Sequence, residues 1–254
     1  MEQPLLDTAT GTVACDATLT RAAAMQAWVL SGHPGKAWEL LEGATASGTA
    51  LVTLEYNIAL GAGARSGKLR EATALLQWMR QPDARATPDV GSYDAVLQPL
   101  ASAGRYETVL RLFDDMHSAG LSPIEFHYRL AISACASLGN GSRAASLLLR
   151  MQERGMLYTQ AVADAMQACT RGGQPDVALD IFEAVRHDVH APGGEYARSP
   201  FVFNSALHAL RQQRNVDEAL ALLLQMAAGQ GAAPDANSFQ TMLVRPAGTR
   251  PVCS

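Results

Sequence analysis

VGSYDAVLQPLASAGRYETVLRLFDDMHSAGLSPI, residues Val90 to Ile124, decides how the chain folds. Two short helical patterns flank Ala103-Gly104-Arg105. The first carries Tyr93, Val96, Leu97 and Leu100, the second Tyr106, Val109, Leu110, Phe113 and Met116. Spacings of three and four put each set on one face of a helix. Gly120 can stop a helix in a left-handed conformation, and Pro123 just beyond cannot continue one. The stretch therefore predicts a helical hairpin.

The same hairpin pattern recurs along most of the chain. Starts fall at 18, 53, 90, 125, 160 and 200, which predicts units 18–52, 53–89, 90–124, 125–159, 160–199 and 200–235, with a partial unit at 236–245. One such hairpin cannot bury its own apolar face, and a regular repeat of this length solves the problem by stacking. The reading is an all-α solenoid of stacked antiparallel helical hairpins. An irregular helical bundle is the alternative, but the Gly turns and closing Gly/Pro recur in register. Residues 1–17 read as an irregular leading segment and 246–254 as a tail. The chain breaks off partway through a hairpin, as expected of a fragment or an imperfect gene model.

Composition removes several classes. Of 254 residues, 48% are hydrophobic, too many for a disordered chain. No run of about eighteen apolar residues appears, so no membrane span is expected. Lys plus Arg is 20 against 24 Asp plus Glu, a net charge of -4. That is not the balance of a protein held on nucleic acid by bulk charge, though it leaves room for a local basic groove. Cys15, Cys135, Cys169 and Cys253 form no CxxC and have no histidine in a ligand pattern, so neither structural zinc nor a disulfide scaffold is expected. Cys135 and Cys169 occupy matching places in successive units and read as small buried residues. His187 and His190 share a loop, but no metal or other cofactor is expected there. The start, MEQPLLDTATGTVACD, has neither an apolar signal core nor an arginine-rich amphipathic look.

Tyr56-Asn57, Gly67, Glu71-Ala72, Met79 and Pro88-Asp89 form one series; Phe203-Asn204, Glu218-Ala219, Met226 and Pro234-Asp235 form another. The middle units keep Tyr93, Gly104, Met116, Gly120 and Pro123, then Tyr128, Gly139, Ala144, Met151 and Gly155. This pattern resembles the pentatricopeptide repeat family over about residues 18–245. The tetratricopeptide class is the near neighbour, but its Trp/Leu/Gly pattern is not evident. The resemblance implies a right-handed α-solenoid and binding of single-stranded RNA in mitochondria or plastids, one repeat to one base, read by two or three side chains.

Carried over residue by residue, the resemblance pairs Asn57 with Asp89, Asp94 with Ile124, Arg129 with Thr159, Asp164 with Ser199, and Asn204 with Asp235. An amide or carboxylate can hydrogen-bond a base edge, and an apolar neighbour can sandwich the ring. Leu54, Gly91, Phe126, Ala161 and Phe201 take the sandwich position, where Gly91 and Ala161 offer almost no surface. The two Asn/Asp pairs imply pyrimidine readers. Arg129 departs from the pattern and could touch phosphate. The plain reading of Asn57 and Asn204 is that they cap or brace helix starts.

The function expected is a single-stranded RNA-binding adaptor in organellar RNA processing, stability or translation. A protein-interaction scaffold within a ribosomal or other organellar complex is the alternative. No small-molecule substrate is expected. Catalysis is not expected either: Asp114-Asp115 is the one adjacent Asp pair and belongs to an amphipathic helix surface.

Overall fold

The computed structural model of the chain describes residues 8–81, 84, 86–187, 199–229 and 232–243, with 8–18, 187, 242 and 243 described as backbone alone. Among them lie thirteen α-helices and no strand. In order these are α1 (Thr8–Leu30), α2 (Pro34–Ala46), α3 (Thr53–Arg65), α4 (Leu69–Met79), α5 (Val90–Ser102), α6 (Tyr106–Ser118), α7 (Glu125–Leu138), α8 (Gly141–Glu153), α9 (Thr159–Arg171), α10 (Pro175–His187), α11 (Pro200–Gln212), α12 (Val216–Ala227) and α13 (Ala236–Leu243). None is long and apolar enough to cross a membrane.

The chain forms two compact units, residues 1–123 and 124–254. In the first, α1, α3 and α5 pack side by side, while α2 packs on α3 and α4 on α5. In the second, α7, α9, α11 and α13 form the corresponding row, with α8 on α9 and α10 on α11. Each unit is thus the expected stack of hairpins, in which the first helix of one repeat receives both helices of the repeat before it. The core of each unit is built from the residues that define the repeat. Tyr56, Tyr93, Tyr128 and Phe203 in first helices, and Met79, Met116, Met151 and Met226 in second helices, are all buried.

Two sequence boundaries move. The helix α1 begins at Thr8, inside the stretch expected to be irregular. Its Ala-rich composition after Pro4 has high intrinsic helix propensity and holds no breaker but Gly11. The fifth unit begins at Thr159, one residue before the expected Gln160. A left-handed residue fixes this register. Gly67, Gly104 and Gly139 adopt φ of 85°, 69° and 68°, each fourteen residues after its unit's first helical residue. Gly173, at 70°, keeps that interval when counted from Thr159. Val162 then falls where Tyr56, Tyr93, Tyr128 and Phe203 sit, fully buried as they are. The fourth unit runs from Glu125 to Tyr158, one residue short of its neighbour's 35, and the missing aromatic hid the slip. The expected loop over 187–199 and the tail at 246–254 lie outside the described residues, apart from His187 and Ser199.

Candidate nucleic-acid interface

Asn57 stands at the fifth position of α3, one residue past the buried Tyr56. Its Nδ2 donates to Asp89 Oδ1 at 2.9 Å, and its Oδ1 accepts from the Ser92 hydroxyl at 2.6 Å. Asp89 is the N-cap of α5: its Oδ1 accepts from the Ser92 N–H at 2.9 Å, and its own N–H donates to Ser92 Oγ at 3.0 Å. This capping box satisfies donors that a helix start otherwise leaves open. Asp89 therefore cannot swing away without uncapping a helix, and Asn57 is anchored to it.

The sixth repeat builds the same arrangement independently. Asn204 Nδ2 donates to both oxygens of Asp235, at 3.1 and 3.2 Å. Ser238 donates its hydroxyl to Asn204 Oδ1 at 2.7 Å, and its N–H to Asp235 Oδ1 at 2.8 Å. The Asp235 N–H donates to Ser238 Oγ at 3.1 Å. The side chains that sequence reading paired are thus brought together in both places, and the two serines that join them are partners it missed. Their signal was present as Asp-x-x-Ser, in Asp89 to Ser92 and Asp235 to Ser238, which is capping-box spacing.

Both carboxylates are held below the ordinary range. For Asp89, burial pushes upward, and the hydrogen bonds from Asn57 and from the Ser92 N–H and hydroxyl outweigh it. For Asp235 the Ser238 N–H is the leading cause, opposed by slight burial and reinforced by Asn204. Each pair thus presents a fixed carboxylate beside an oriented amide.

Apolar ledges stand one turn away. Leu54 is 55% exposed and Phe201 63% exposed. Such exposure costs solvation for a large apolar side chain, and a stacked base would cover it. Phe126 is half-buried, with the Arg129 guanidinium 5.3 Å over its ring. That cation–π contact holds Arg129, itself exposed, beside its own ledge.

Other expected positions differ. In the corrected register Arg129 faces Tyr158 as the closing residue rather than Thr159, and Ala163 rather than Asp164 holds the fifth position of α9. Asp164 sits one residue further on, accepts from Gln160 Nε2 at 2.8 Å, and is pushed upward by burial. The Tyr158 hydroxyl is buried and pushed up to about 12, chiefly by burial. Ala161 is fully buried and presents no ledge; exposed Gln160 takes that position instead. A Cβ on Gly91 would lie 3.2 Å from Asn57 Nδ2, so a ledge residue there would press on the amide. Asp94 matches Asn57 in α5, but its closing residue, Ile124, is 52% exposed and offers no polar atom on its side chain. Ser199 is buried at the start of α11.

The row of first helices forms a groove within each unit. In the first, a cleft of about 480 Å³ is lined by Asn57, Gly61, Arg65, Asp94 and Gln98. In the second, one of about 430 Å³ is lined by Asp164, Arg171, Phe201, Asn204 and His208. Each wall carries one arginine anchored on backbone: Arg65 donates to Gly61 O at 3.0 Å, and Arg171 to Ala136 O at 3.1 Å. His208 is pulled below its ordinary range by burial and then by Arg211 and Arg171, so it is neutral at pH 7. Among the described residues no cluster of three metal-capable side chains occurs.

The family model described as PPR repeat matches residues 92–121, 126–156 and 201–228. The chain is 31% identical over 157 residues to pentatricopeptide repeat-containing protein 10, chloroplastic, of Zea mays, covering 61% of this chain and 20% of that protein. It is 25% identical over 107 residues to a chloroplastic pentatricopeptide repeat-containing protein of Arabidopsis thaliana, covering 41% of this chain and 13% of that one. The chain thus spans about a fifth or less of the length of these relatives. Among solved structures, it superposes on the maize protein PPR10 in complex with an 18-nucleotide psaJ RNA element with a TM-score of 0.62, at 28% identity, over 95% of this chain and 34% of that one. It shares the fold of the PPR domain of Arabidopsis thaliana protein-only RNase P 1 in complex with tRNA, at a TM-score of 0.55 and 14% identity, over 68% of this chain and 91% of that one. Repeat period, helix pairing, family match and structural likeness agree: the chain carries pentatricopeptide repeats, at residues 92–121, 126–156 and 201–228.

Proposed function

We propose that the chain binds single-stranded RNA in the groove that the first helices line within each unit, as a non-catalytic adaptor in organellar RNA processing, stability or translation. The observation that carries this is the twice-built Asn–Asp–Ser arrangement beside an exposed apolar ledge: Asn57, Asp89 and Ser92 beside Leu54, and Asn204, Asp235 and Ser238 beside Phe201. An oriented amide and a fixed carboxylate suit the Watson–Crick edge of a splayed-out base, and the ledge suits its face. The Arg129 guanidinium, held over Phe126, suits a backbone phosphate. The likeness to an RNA-bound protein and the chloroplastic names of two relatives support the RNA and organellar parts of this reading.

Fluorescence anisotropy with single-stranded oligonucleotides of each base tests it. The expected result is binding that prefers uridine-bearing RNA and weakens about ten-fold on Asn57→Ala plus Asn204→Ala. Saturable binding unchanged by both substitutions, or no binding at all, would sink the proposal. A second reading, a scaffold for protein partners, has one observation in its favour. Val216, Leu220 and Leu224 form an exposed apolar stripe on α12, at 64%, 53% and 63% exposure. In that case the Asn substitutions leave partner recovery from a cell extract unchanged while Leu220→Glu abolishes it.

A further inference from the structure

The second helices α4 and α6 are joined at one end and apart at the other. Near their C-termini, Arg80 Nη1 pairs with Asp115 at 2.8 Å, and Arg80 Nη2 donates to Ser118 Oγ at 3.4 Å. At their N-termini a cleft of about 500 Å³ opens between them. Three arginines line it: Arg70 on α4, Arg105 at the start of α6, and Arg111 two turns along. All three are exposed, and none forms an ion pair among the described residues. Glu71 is the acidic residue on the same wall. This cleft lies on the second-helix side and shares no lining residue with the groove that holds Asn57 and Asp94.

The local backbone adds to the positive field. Arg105 is the N-cap of α6 and provides no side-chain acceptor there. The corresponding turns of two other hairpins use Asn140 and Asn215, whose side chains accept from the Arg143 and Glu218 N–H groups. A cation at this position opposes the helix dipole, where Asn or Asp is the favoured residue. Arg105 thus gives the first N–H groups of α6 no side-chain cap, Glu107 is the acidic residue of that first turn, and Thr108, in the same turn, is on the cleft wall. Three guanidiniums share the cleft wall with one carboxylate, an excess of positive charge that a bound anion would offset. The guanidinium fork matches phosphate oxygens in pairs. The wall holds Leu69 and Leu100 but no aromatic ring, so nothing is provided for stacking a base.

We infer that the α4/α6 cleft is a phosphate site that takes two adjacent phosphate groups, either from an RNA backbone or from a free diphosphate.

Isothermal titration of the whole chain with inorganic pyrophosphate at low salt tests it, with circular dichroism melts to confirm folding. Saturable binding is expected, weakened about ten-fold by Arg111→Gln and again by Arg105→Gln, and unchanged by Asn57→Ala. Absence of saturable binding, or equal binding by wild type and the folded double arginine variant, overturns the inference. So does loss of pyrophosphate binding on Asn57→Ala, which would put the anion in the groove. A second titration with single-stranded RNA identifies the source. Competition by pyrophosphate, with weaker RNA binding by Arg111→Gln, supports a backbone phosphate there. RNA binding indifferent to both, with pyrophosphate binding still lost in the variant, supports a free diphosphate.

Discussion

Asp89 serves two helices at once: it caps α5 through the Ser92 N–H and accepts the Asn57 amide of α3 at 2.9 Å. The residue that closes one repeat therefore joins the next helix to the candidate reading side chain. A contact to RNA and a contact within the fold draw on the same carboxylate. The competing readings of Asn57, bracing or base contact, are not exclusive, because bracing is what orients the amide.

The first prediction concerns acid. Asp89 and Asp235 have folded values below the ordinary 3.8. Depressed carboxylates contribute stability that is present above the unfolded value and lost as pH falls through the folded one. Chemical denaturation at a series of pH values is expected to show stability falling below about pH 4, the unfolded carboxylate range. Asp89→Asn plus Asp235→Asn should make that fall shallower. An acid limb identical to wild type would disprove the assignment.

Ser92 and Ser238 carry the second prediction. Each hydroxyl accepts from the capping aspartate's N–H and donates to the asparagine carbonyl. Ser92→Ala should cost about 1 kcal/mol of stability, the usual scale for losing a cap interaction. It should also weaken RNA binding although the serine is not itself a reading residue. Rescue by Ser92→Thr, with no rescue by Ser92→Val, would separate the hydroxyl's role from that of side-chain volume.

How much of this was legible depended on which residues marked the register. Tyr56, Tyr93, Tyr128 and Phe203 announced their helices because a large buried ring every repeat has no other explanation at that spacing. Val162 fills the same buried place without a ring, so the fifth unit slid by one residue and took Asp164 and Ala161 with it. The Asn/Asp pairs were legible through family resemblance, whereas their serines follow from capping chemistry and went unread. The α4/α6 cleft was not legible at all, since Arg70, Arg105 and Arg111 lie on two helices and meet through packing.

Arg214 gives the third prediction. It holds φ of 59°, in the turn position filled by Gly67, Gly104, Gly139 and Gly173 in the preceding repeats. A side chain in the left-handed region costs about 1 kcal/mol or more, and glycine avoids this while losing somewhat more entropy on folding. Arg214→Gly should therefore stabilise the fold by a net of about 0.5 kcal/mol and raise the melting temperature slightly. A lower melting temperature would mean that the arginine side chain contributes more than its backbone costs.

The fourth prediction turns on two hairpin turns that touch through bare backbone. A Cβ built on Gly172 would lie 2.1 Å from Gly139 O, and one on Gly139 would lie 3.2 Å from the Gly172 nitrogen. Gly172 is not in the left-handed region, as φ is -77°, so its need for glycine comes from the neighbouring turn and not from its own conformation. Gly172→Ala must push the fourth and fifth hairpins apart at this end, where a Cβ on Gly141 would also meet Cys169 Cα at 2.5 Å. Overpacking of this kind costs about 1–3 kcal/mol. Gly173→Ala provides the contrast: it has open space around its Cβ but φ of 70°, and should cost about 1 kcal/mol through backbone strain alone. Thermal melts of the two variants distinguish the mechanisms. Shortening the Gly139 side of the contact cannot rescue Gly172→Ala, because the obstructing atom is a backbone carbonyl. Equal melting temperatures for wild type and Gly172→Ala would show that the turns do not pack this closely in solution.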